Sequence, residues 1–528
     1  MVKYLDNNSG FNMWNANRAV NTNAKPKSRI GTFLWWGILF IGTWWLFSMW
    51  NAPKNVPVPT DTENAIIATD VSNVPAHEVS SDKITANVQG LRVSTVALTD
   101  FAADATADSD HVTLLGNDGD YIEVGMIATG TTAPDAKTVW QQNEDKMRWR
   151  NSDGVIFTRS VTADGYLITV TDTIENKTKH DVSFAPYARI VRSEKTNSAG
   201  VATGAITNSN SKIKYVDWNK LTKKSYAYTT TNGFIGFADQ YWETIANVAS
   251  PDQTMRAKSI ANKYMTDTSA AAVRVAPNDT GVFTTTIFAG PRDQTILDEV
   301  ATTIGGIDDT IDYGWFWFLA RPMLWVLNAL NSLVMNYGIA IILMTILLRL
   351  LMWPLTRKSY TSSIAMQRMQ PELQRIQKLY GNDKARLQME MMNLYRTHKT
   401  SPMSGCLPML IQIPIFFALY KALLVSVQMR NAHFLWIHDL AAMDPYFILP
   451  ILMGATMWLQ QYLQSGNQKK DAPKNDAAAA TARMMKWLPV IFAVMFAWMP
   501  AGLVLYWTIS NVFGIFQTYI IKKQLNNK

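Results

Sequence analysis

The stretch IILMTILLRLLMWPLT, residues 341–356, places one arginine, Arg349, inside an otherwise apolar run. A guanidinium group does not lose its proton in a protein. At the centre of a bilayer it costs about 2.5–3.5 kcal/mol on insertion scales. An arginine in such a position indicates either a function or a polar environment that offsets this cost.

Composition indicates a chain with a membrane part and a water-facing part. The 528 residues are 48% hydrophobic, yet the mean hydropathy is only −0.04. Residues 51–310 carry 23 Lys and Arg against 32 Asp and Glu, whereas the rest of the chain carries 26 against 9. An acidic middle between basic ends is typical of two sides of a membrane rather than of a nucleic-acid binder. The single cysteine, Cys406, excludes an intrachain disulfide.

The N-terminal region predicts an uncleaved membrane anchor. Residues 1–29 form a cytoplasmic segment that ends in basic residues, and residues 30–50 hold no charge and are long enough to span a bilayer. A secretory signal peptide is the alternative, but the run exceeds the usual apolar region and no A-x-A-like cleavage site follows. Residues 51–80 are predicted to be a linker rich in Pro, Asn, Thr, Ser and Asp.

Residues 81–310 have the pattern of a periplasmic antiparallel β-sandwich. The segments VIFTRSV (155–161), YLITVTDTI (166–174), GFIGFA (233–238) and GVFTTTIFAG (281–290) are short and rich in β-branched or aromatic residues. Turn signals such as ADG and ENKT separate them. We interpret the scattered Lys, Asp and Asn residues as the solvated face of the sandwich, with no catalytic cluster among them.

The C-terminal part predicts a membrane core of α-helices. WFWFLARPMLWVLNAL (315–330) is aromatic and amphipathic, which is typical of a helix at the membrane interface. In chain order we predict an interfacial helix at 311–330, transmembrane helices at 331–356, 404–425 and 446–464, and two more within 486–521, separated at WMPAG (498–502). With the first helix this makes six spans.

The loops between these helices predict the orientation of the chain. Residues 357–403 carry nine Lys and Arg against three acids, residues 465–486 carry five against two, and the tail 522–528 carries three lysines. Basic loops of this kind are cytoplasmic. The loop 426–445 and the sandwich are then periplasmic, and both termini are cytoplasmic.

Residues 357–403 predict a cytoplasmic helical hairpin, because apolar residues recur at spacings of three and four on both sides of YGND (380–383). Lys378, Lys384 and Arg386 are candidates for recruiting partners. The alternative is that the positive-inside rule alone explains these charges.

No carboxylate lies in the predicted spans after residue 330 that could neutralise Arg349. Three interpretations remain open: a side chain that reaches lipid headgroups, one packed against backbone carbonyls, or one in a water-filled cavity open to the cytoplasm. Polar residues at helical spacings favour the cavity. The candidate lining residues are Thr345, Gln412, Tyr506, Ser510 and Gln517.

Several motifs in this order resemble those of the bacterial YidC/Oxa/Alb family of membrane protein insertases, in the form with a large periplasmic domain. They are YGWFWFLARPM, RLLMWPLTRKSYTS, GCLPMLIQIPIFFALYKAL, LWIHDL, DPYFILPILMG and PAGLVLYWTISN. The resemblance implies that five of the six helices enclose a hydrophilic groove around Arg349, lined by Thr345 and Gln412. It also places Tyr506 and Trp507 where many relatives have two tyrosines.

The resemblance implies an inner-membrane protein that inserts membrane proteins and helps them fold and assemble, alone or with the Sec translocon. Expected partners are nascent membrane proteins, lipids, and the ribosome, signal recognition particle or its receptor. We expect no enzyme activity, cofactor or metal site, since no nucleotide-binding loop or H-E-x-x-H motif occurs.

Three other classes of protein are alternatives to an insertase. A secondary transporter with a polar intramembrane cavity is the main alternative, although it usually needs intramembrane acids or repeated halves. A membrane hydrolase is disfavoured because the six histidines are scattered. A structural anchor for a sugar-binding periplasmic domain is the fourth possibility.

Overall fold

The computed structural model of the chain describes residues 71–104, 109–116, 119–143, 146–196, 200–381, 383–398, 407–465 and 476–526. The N-terminal segment 1–29, the first predicted transmembrane helix, residues 51–70 of the linker, and Cys406 lie outside the described residues. Within the described residues, strands occupy Ala76–Pro291, and helices, apart from one short one, follow from Gln294 onward.

The strands form two antiparallel sheets, which confirms the predicted β-sandwich. In chain order they are β1 Ala76–Ser80, β2 Ile84–Gln89, β3 Arg92–Ala102, β4 His111–Leu114, β5 Tyr121–Thr129, β6 Gln141–Asn143, β7 Lys146–Arg150, β8 Val155–Asp164, β9 Leu167–Asn176, β10 Val182–Arg192, β11 Gly204–Ser209, β12 Ile213–Val216, β13 Tyr226–Thr230, β14 Gly233–Ala238, β15 Trp242–Val248, β16 Gln253–Ile260, β17 Lys263–Ala270, β18 Val273–Val275 and β19 Thr280–Pro291. One sheet has the order β1-β2-β3-β5-β10-β17-β16-β13, with β4 on β3 and β18 on β10; the other has the order β12-β11-β14-β15-β19-β9-β8-β7-β6.

Alternation of side chains builds the core between the sheets. On β9, every second residue is buried, including Ile168, Val170 and Ile174. This is the period-2 pattern that a strand with one face toward a core requires. The four segments predicted as strands correspond to β8, β9, β14 and β19.

The interpretation of the sandwich charges as a solvated face is wrong for many of them. Arg159 on β8 is only 2% exposed and forms a bidentate pair with Asp172 on β9, with both N–O distances at 2.8 Å. Its guanidinium also donates to the carbonyls of Gly90 and Val124, which belong to the opposite sheet. Because every partner is another buried polar group, Arg159 links the two sheets through their interior.

A second set of charges forms a row of alternating sign across five neighbouring strands of the ten-stranded sheet. Arg92, Glu123, Arg189, Asp267 and Arg256 lie opposite one another from β3 to β16. Glu123 is 2.9 Å from Arg92 and 3.4 Å from Arg189, and Arg256 is 2.8 Å from Asp267. Opposite charges directly across neighbouring strands stabilise a sheet. The strand register places each of these charged side chains beside one of opposite sign, which offsets the cost of burying it.

The remaining elements are helical. Within the described residues they are α1 Trp218–Leu221, α2 Gln294–Val300, α3 Trp317–Val334, α4 Tyr337–Leu351, α5 Trp353–Arg368, α6 Gln370–Tyr380, α7 Lys384–Thr397, α8 Leu407–Val425, α9 Ile448–Ser465, α10 Asp476–Phe496 and α11 Ala501–Asn526, with short 3-10 turns at Ile307–Asp309 and Val427–Met429. A helical C-terminal region is thus confirmed.

The helices between residues 311 and 403 differ from the predicted boundaries. The interfacial helix predicted at 311–330 begins only at Trp317, after Gly314 takes a left-handed conformation. Residues 331–356, predicted as one helix, include the end of α3, all of α4 and the start of α5. The described residues of the hairpin predicted at 357–403 belong to three helices, α5, α6 and α7, instead of two. Pro354 and Pro371 each lie at the second position of a new helix, where the missing N–H is tolerated and a helix break is favoured.

Length and hydropathy mark few of the described helices as membrane spans. Ala501–Gln524 is long and apolar enough to cross a bilayer, and Tyr337–Leu351 with Trp353–Met366 passes the same test only as a pair bent by 59°. Leu410–Val425 and Lys486–Phe496 are apolar but shorter. The six spans therefore stay a prediction.

Polar contacts join the sandwich to the helices. Lys421 on α8 pairs with Asp312 at 3.1 Å, and Gln428 donates to Asp293 at 2.7 Å. Arg430 donates to the carbonyl of Ala102 at 2.6 Å. The end of α8 and the residues after it therefore form a common attachment surface for the sandwich.

A buried pair also connects the sandwich to the chain segment that leaves it. Arg292 lies 3.5 Å from Glu243 and donates to the carbonyl of Thr310, whose hydroxyl donates to Glu243 at 3.1 Å. Burial raises the pKa of the Glu243 carboxyl to about 7, while Arg292 and the Thr310 hydroxyl oppose the rise. The segment before α3 is thus held against the nine-stranded sheet.

We predict that Arg159→Met destabilises the sandwich by about 3–5 kcal/mol, because Asp172 then keeps a buried charge without its partner. Adding Asp172→Leu should restore part of this loss. Lys83→Met, which breaks the exposed Lys83–Asp100 pair, is the control and should leave the unfolding midpoint almost unchanged, because solvent screens an exposed ion pair. Pulse proteolysis of the purified full chain in urea measures all three. An equal, small effect of Arg159→Met and Lys83→Met would contradict the interior role of Arg159.

Candidate functional site

Arg349 contacts the last helix through a serine hydroxyl. It lies in the final turn of α4, and its Nε donates to the Oγ of Ser510 on α11 at 2.7 Å. Its Nη2 donates to the same oxygen. Ser510 is 2% exposed, so two donors of a charged group converge on a buried hydroxyl.

Gln412 and Tyr506 extend this polar cluster to a third helix. The Nε2 of Gln412 on α8 donates to the hydroxyl of Tyr506 on α11. Tyr506 lies one helical turn before Ser510, so both side chains lie on the same face of α11. Four of the predicted site residues are thus brought together where α4, α8 and α11 meet.

The other two predicted groove residues use their polar or aromatic groups elsewhere. Thr345 is fully buried, and its hydroxyl donates to the carbonyl of Ile341 on its own helix at 2.6 Å. Trp507 packs against Phe416 at 5.0 Å and Phe496 at 5.1 Å between ring centroids. Neither contact involves the cluster around Arg349.

The cluster leaves the charge of Arg349 without a counter-ion on these helices. The sequences of α4, α8 and α11 contain no Asp or Glu. A hydroxyl accepts a hydrogen bond from a guanidinium but does not neutralise it. The arrangement is therefore a fixed positive charge surrounded by neutral hydrogen-bonding groups, which attracts an anionic group.

One neighbouring contact was missed by the sequence prediction. The hydroxyl of Thr518 on α11 donates to that of Tyr360 on α5 at 2.8 Å. The signal available in the sequence was a threonine directly after Gln517 on the polar face of α11, but nothing there identified its partner. This contact ties the helix after the bend to α11.

The candidate recruitment residues lie on the surface of the hairpin. Lys378, Lys384 and Arg386 are exposed. The guanidinium of Arg386 lies 5.1 Å above the ring of Tyr380. Lys384 borders an apolar depression of about 220 Å³ on α7, which Met391 and Met392 also line.

Among the described residues, no group of three or more His, Cys, Asp or Glu side chains could hold a metal ion. The polar cluster at Arg349 likewise contains a single cation and neutral groups.

Comparison with known proteins identifies the family. The model of the 60Kd inner membrane protein family matches residues 329–528, and that of the YidC periplasmic domain matches residues 77–326. The membrane protein insertase YidC of Magnetococcus marinus is 37% identical over 437 residues, which cover 77% of this chain and 76% of that protein.

The chain belongs to the YidC family of membrane protein insertases.

A second YidC relative matches nearly the whole length. The membrane protein insertase YidC of Mannheimia succiniciproducens is 32% identical over 535 residues, which cover 93% of this chain and 97% of that protein. A crystal structure described as an active YidC insertase with the first transmembrane domain resolved is 20% identical, covers 86% of this chain and 96% of that chain, and has a TM-score of 0.38. The family resemblance seen in the sequence motifs is confirmed.

Proposed function

We propose that this chain inserts integral membrane proteins into the inner membrane and helps them fold and assemble. Membership of the YidC family supports this function. The observation that carries the proposal is the contact of Arg349 with Ser510, a positive charge held at the junction of three helices that supply no carboxylate. A permanent charge of this kind requires either an anionic partner that binds to it or water that hydrates it.

In the proposed mechanism, a hydrophilic groove receives the tail of a nascent membrane protein. Arg349 attracts an acidic tail, and the hydroxyl and amide groups of Ser510, Tyr506 and Gln412 replace part of its hydration. Both effects reduce the cost of moving polar groups into a low-dielectric region. The apolar segment of the substrate then partitions sideways into lipid, and this burial drives the step.

Thr345 and Trp507 have supporting roles in this mechanism. The Thr345 hydroxyl donates to a carbonyl of its own helix and places a polar oxygen on α4 one turn before Arg349. Trp507 supplies an aromatic surface between α8 and α10 instead of a second phenol. An apolar substrate segment can slide along such a surface without losing hydrogen bonds.

The proposed topology has six transmembrane helices, five of them around the groove, with both termini cytoplasmic and the sandwich periplasmic. The alternation of basic and acidic segments along the sequence supports it. The domain boundaries stated from the sequence, as altered by the helices of the structure, belong to the same proposal.

We predict that a cysteine introduced at Tyr380, with Cys406 replaced by Ser, reacts with a membrane-impermeant maleimide only from the cytoplasmic side. A cysteine at Lys212 in the sandwich should react only from the periplasmic side, because both positions lie outside the proposed spans. Labelling of intact cells and of inverted vesicles measures this. Periplasmic labelling at position 380 would overturn the topology.

The cytoplasmic hairpin is the proposed receiving surface for ribosomes carrying a nascent chain, or for the signal recognition particle or its receptor. Residues 357–403 have an excess of basic residues, nine against three acids, which favours RNA and other anionic surfaces. Cooperation with the Sec translocon is part of the proposal for substrates with large translocated regions.

We predict that replacing Lys378, Lys384 and Arg386 by Gln lowers the binding of ribosome–nascent chain complexes to proteoliposomes. The expected loss is about tenfold at low salt, since three phosphate contacts are removed. The control replaces Lys469, Lys470 and Lys474 by Gln, which removes the same charge from another predicted cytoplasmic loop. Equal binding by both variants and the unchanged protein would leave the positive-inside rule as the whole explanation of the hairpin charges.

We predict that the charge of Arg349 matters more than the identity of the residue. Arg349→Lys should retain much of the insertion of a reporter with an acidic tail, because an ammonium group also attracts the tail. Arg349→Ala should reduce that reporter by about tenfold, or 1.4 kcal/mol, and Arg349→Glu should reduce it further through repulsion. A strongly hydrophobic reporter with a short neutral tail should be inserted almost equally by the unchanged protein and by all three variants.

The measurement is insertion into proteoliposomes of one reporter whose tail carries acidic, neutral or basic residues. Arg357→Ala is the matched control, because Arg357 lies eight residues later at the predicted membrane boundary. Equal loss for all tail charges in Arg349→Ala would refute electrostatic attraction and assign Arg349 a structural role. Absence of insertion by the unchanged protein would refute the proposed function itself.

A further inference from the structure

Gln517 on α11 makes an unusual contact with the main chain of Arg349. Its side chain is 1% exposed. Its Nε2 lies 3.4 Å from the carbonyl oxygen of Arg349 and donates to it. Its own Oε1 is buried without a hydrogen-bond partner. Buried polar atoms of this kind are rare in proteins and call for an explanation.

The carbonyl that Gln517 contacts lies at the bend between α4 and α5. In a continuous helix each carbonyl accepts from the N–H four residues later, and the last four carbonyls of a helix lack this partner. The partner of Leu350 would be Pro354, which has no N–H. The helix axis also turns by 59° here. Within the last turn the N–H of Met352 donates to the carbonyls of Leu348 and Leu350, while the Arg349 carbonyl accepts from Gln517 on another helix.

α11 supplies polar contacts at three points around this bend. Ser510 accepts from the Arg349 side chain, Gln517 donates to the Arg349 carbonyl, and Thr518 donates to Tyr360 on α5. Ser510 and Gln517 are seven residues apart, which is about two helical turns and places them on one face. The side chain and the main chain of Arg349 are thus held by the same face of one helix.

Without the Gln517 amide, the free carbonyl of Arg349 would compete with the Ser510 hydroxyl as a hydrogen-bond acceptor for the guanidinium. Arginine side chains in the last turn of a helix hydrogen-bond the free carbonyls there, helped by the negative end of the helix dipole. Arg349 is the basic residue in the last turn of α4. An uncapped carbonyl at its own position would draw the guanidinium back toward the helix end and away from Ser510.

We propose that Gln517 is a positioning residue for the insertase reaction. It caps the end of α4 at the bend and thereby keeps the charge of Arg349 at Ser510, where an acidic substrate tail is received. This inference rests on the proposed function of the groove and assigns a specific role to Gln517, which the sequence indicates only as a candidate lining residue. Because Gln517 acts through Arg349, replacing Gln517 should change insertion only to the extent that the substrate tail is charged.

The test uses the full chain in proteoliposomes and the reporter with acidic, neutral or basic tails. Gln517→Met keeps the size of the side chain and removes its hydrogen bonds. Insertion of the acidic tail should fall about fivefold, the effect of losing one hydrogen bond of ordinary strength. Insertion of the neutral tail should remain unchanged. Gln517→Asn, which is shorter by one methylene and does not reach the carbonyl, should show the same selectivity and guards against misfolding of the first variant.

The matched control is Asn511→Leu. Asn511 is also a buried amide on α11, but it donates to Met453 and Thr456 on α9. A loss of packing at Asn511 should lower insertion of all tails alike. The double variant Arg349→Ala/Gln517→Met should be no worse than Arg349→Ala, because Gln517 then has no charge to position.

Equal loss of all tails in Gln517→Met, or a further loss in the double variant, would overturn the positioning role. A second result would also overturn the positioning role: Arg349→Ala lowers insertion of the acidic tail alone, but Gln517→Met inserts all tails normally. That result would leave the proposed function intact. Failure of the proposed function is a different result, namely no insertion of any tail by the unchanged protein.

Discussion

The hydrogen bond between Arg349 and Ser510 combines a permanent charge with an environment that offers no counter-ion. In hydrocarbon this combination is unfavourable unless polar groups or water surround the guanidinium. Helices from three parts of the chain meet at this point, and each contributes one or two polar side chains to the contacts. These contacts explain why Gln412, Tyr506 and Ser510 face inward on helices that are rich in apolar residues.

The sandwich also contains a buried guanidinium, but it pairs this charge with a carboxylate. Arg159 is also a buried guanidinium, but it has Asp172 as a bidentate partner and two carbonyls of the facing sheet as acceptors. Each of its three guanidinium nitrogens donates within the domain, so this charge is structural. Arg349 has a neutral oxygen as its side-chain partner. The difference in partners distinguishes a charge that is neutralised inside a fold from a charge whose side-chain partner is a neutral hydroxyl.

Much of the architecture could be predicted because it depends on local patterns. Alternating β-branched residues predicted β8, β9, β14 and β19, and the apolar runs predicted the helical region. The buried charges of the sandwich could not be predicted, since Arg92 and Glu123 become neighbours only through the pairing of strands 31 residues apart. The break before α5 was visible as Pro354, but a proline near the end of a helix kinks or terminates it according to its packing. For the candidate site, spacing on α11 grouped Tyr506 and Ser510, whereas the contact of Thr345 with its own helix required coordinates.

The sandwich contacts α8 both through the segment that follows its last strand and through its own body. Lys421 on α8 pairs with Asp312, in the segment that Arg292 and Glu243 hold against the sandwich. Lys421 also donates to the carbonyl of Gly200 at 2.7 Å, and Gln240 donates to the carbonyl of Leu424 at 2.9 Å. Gln412 lies on the same helix near its other end, and Pro414, which removes one helical hydrogen bond, lies between the two ends. One helix therefore contacts both the sandwich and the polar cluster at Arg349, and Pro414 separates the two contact regions.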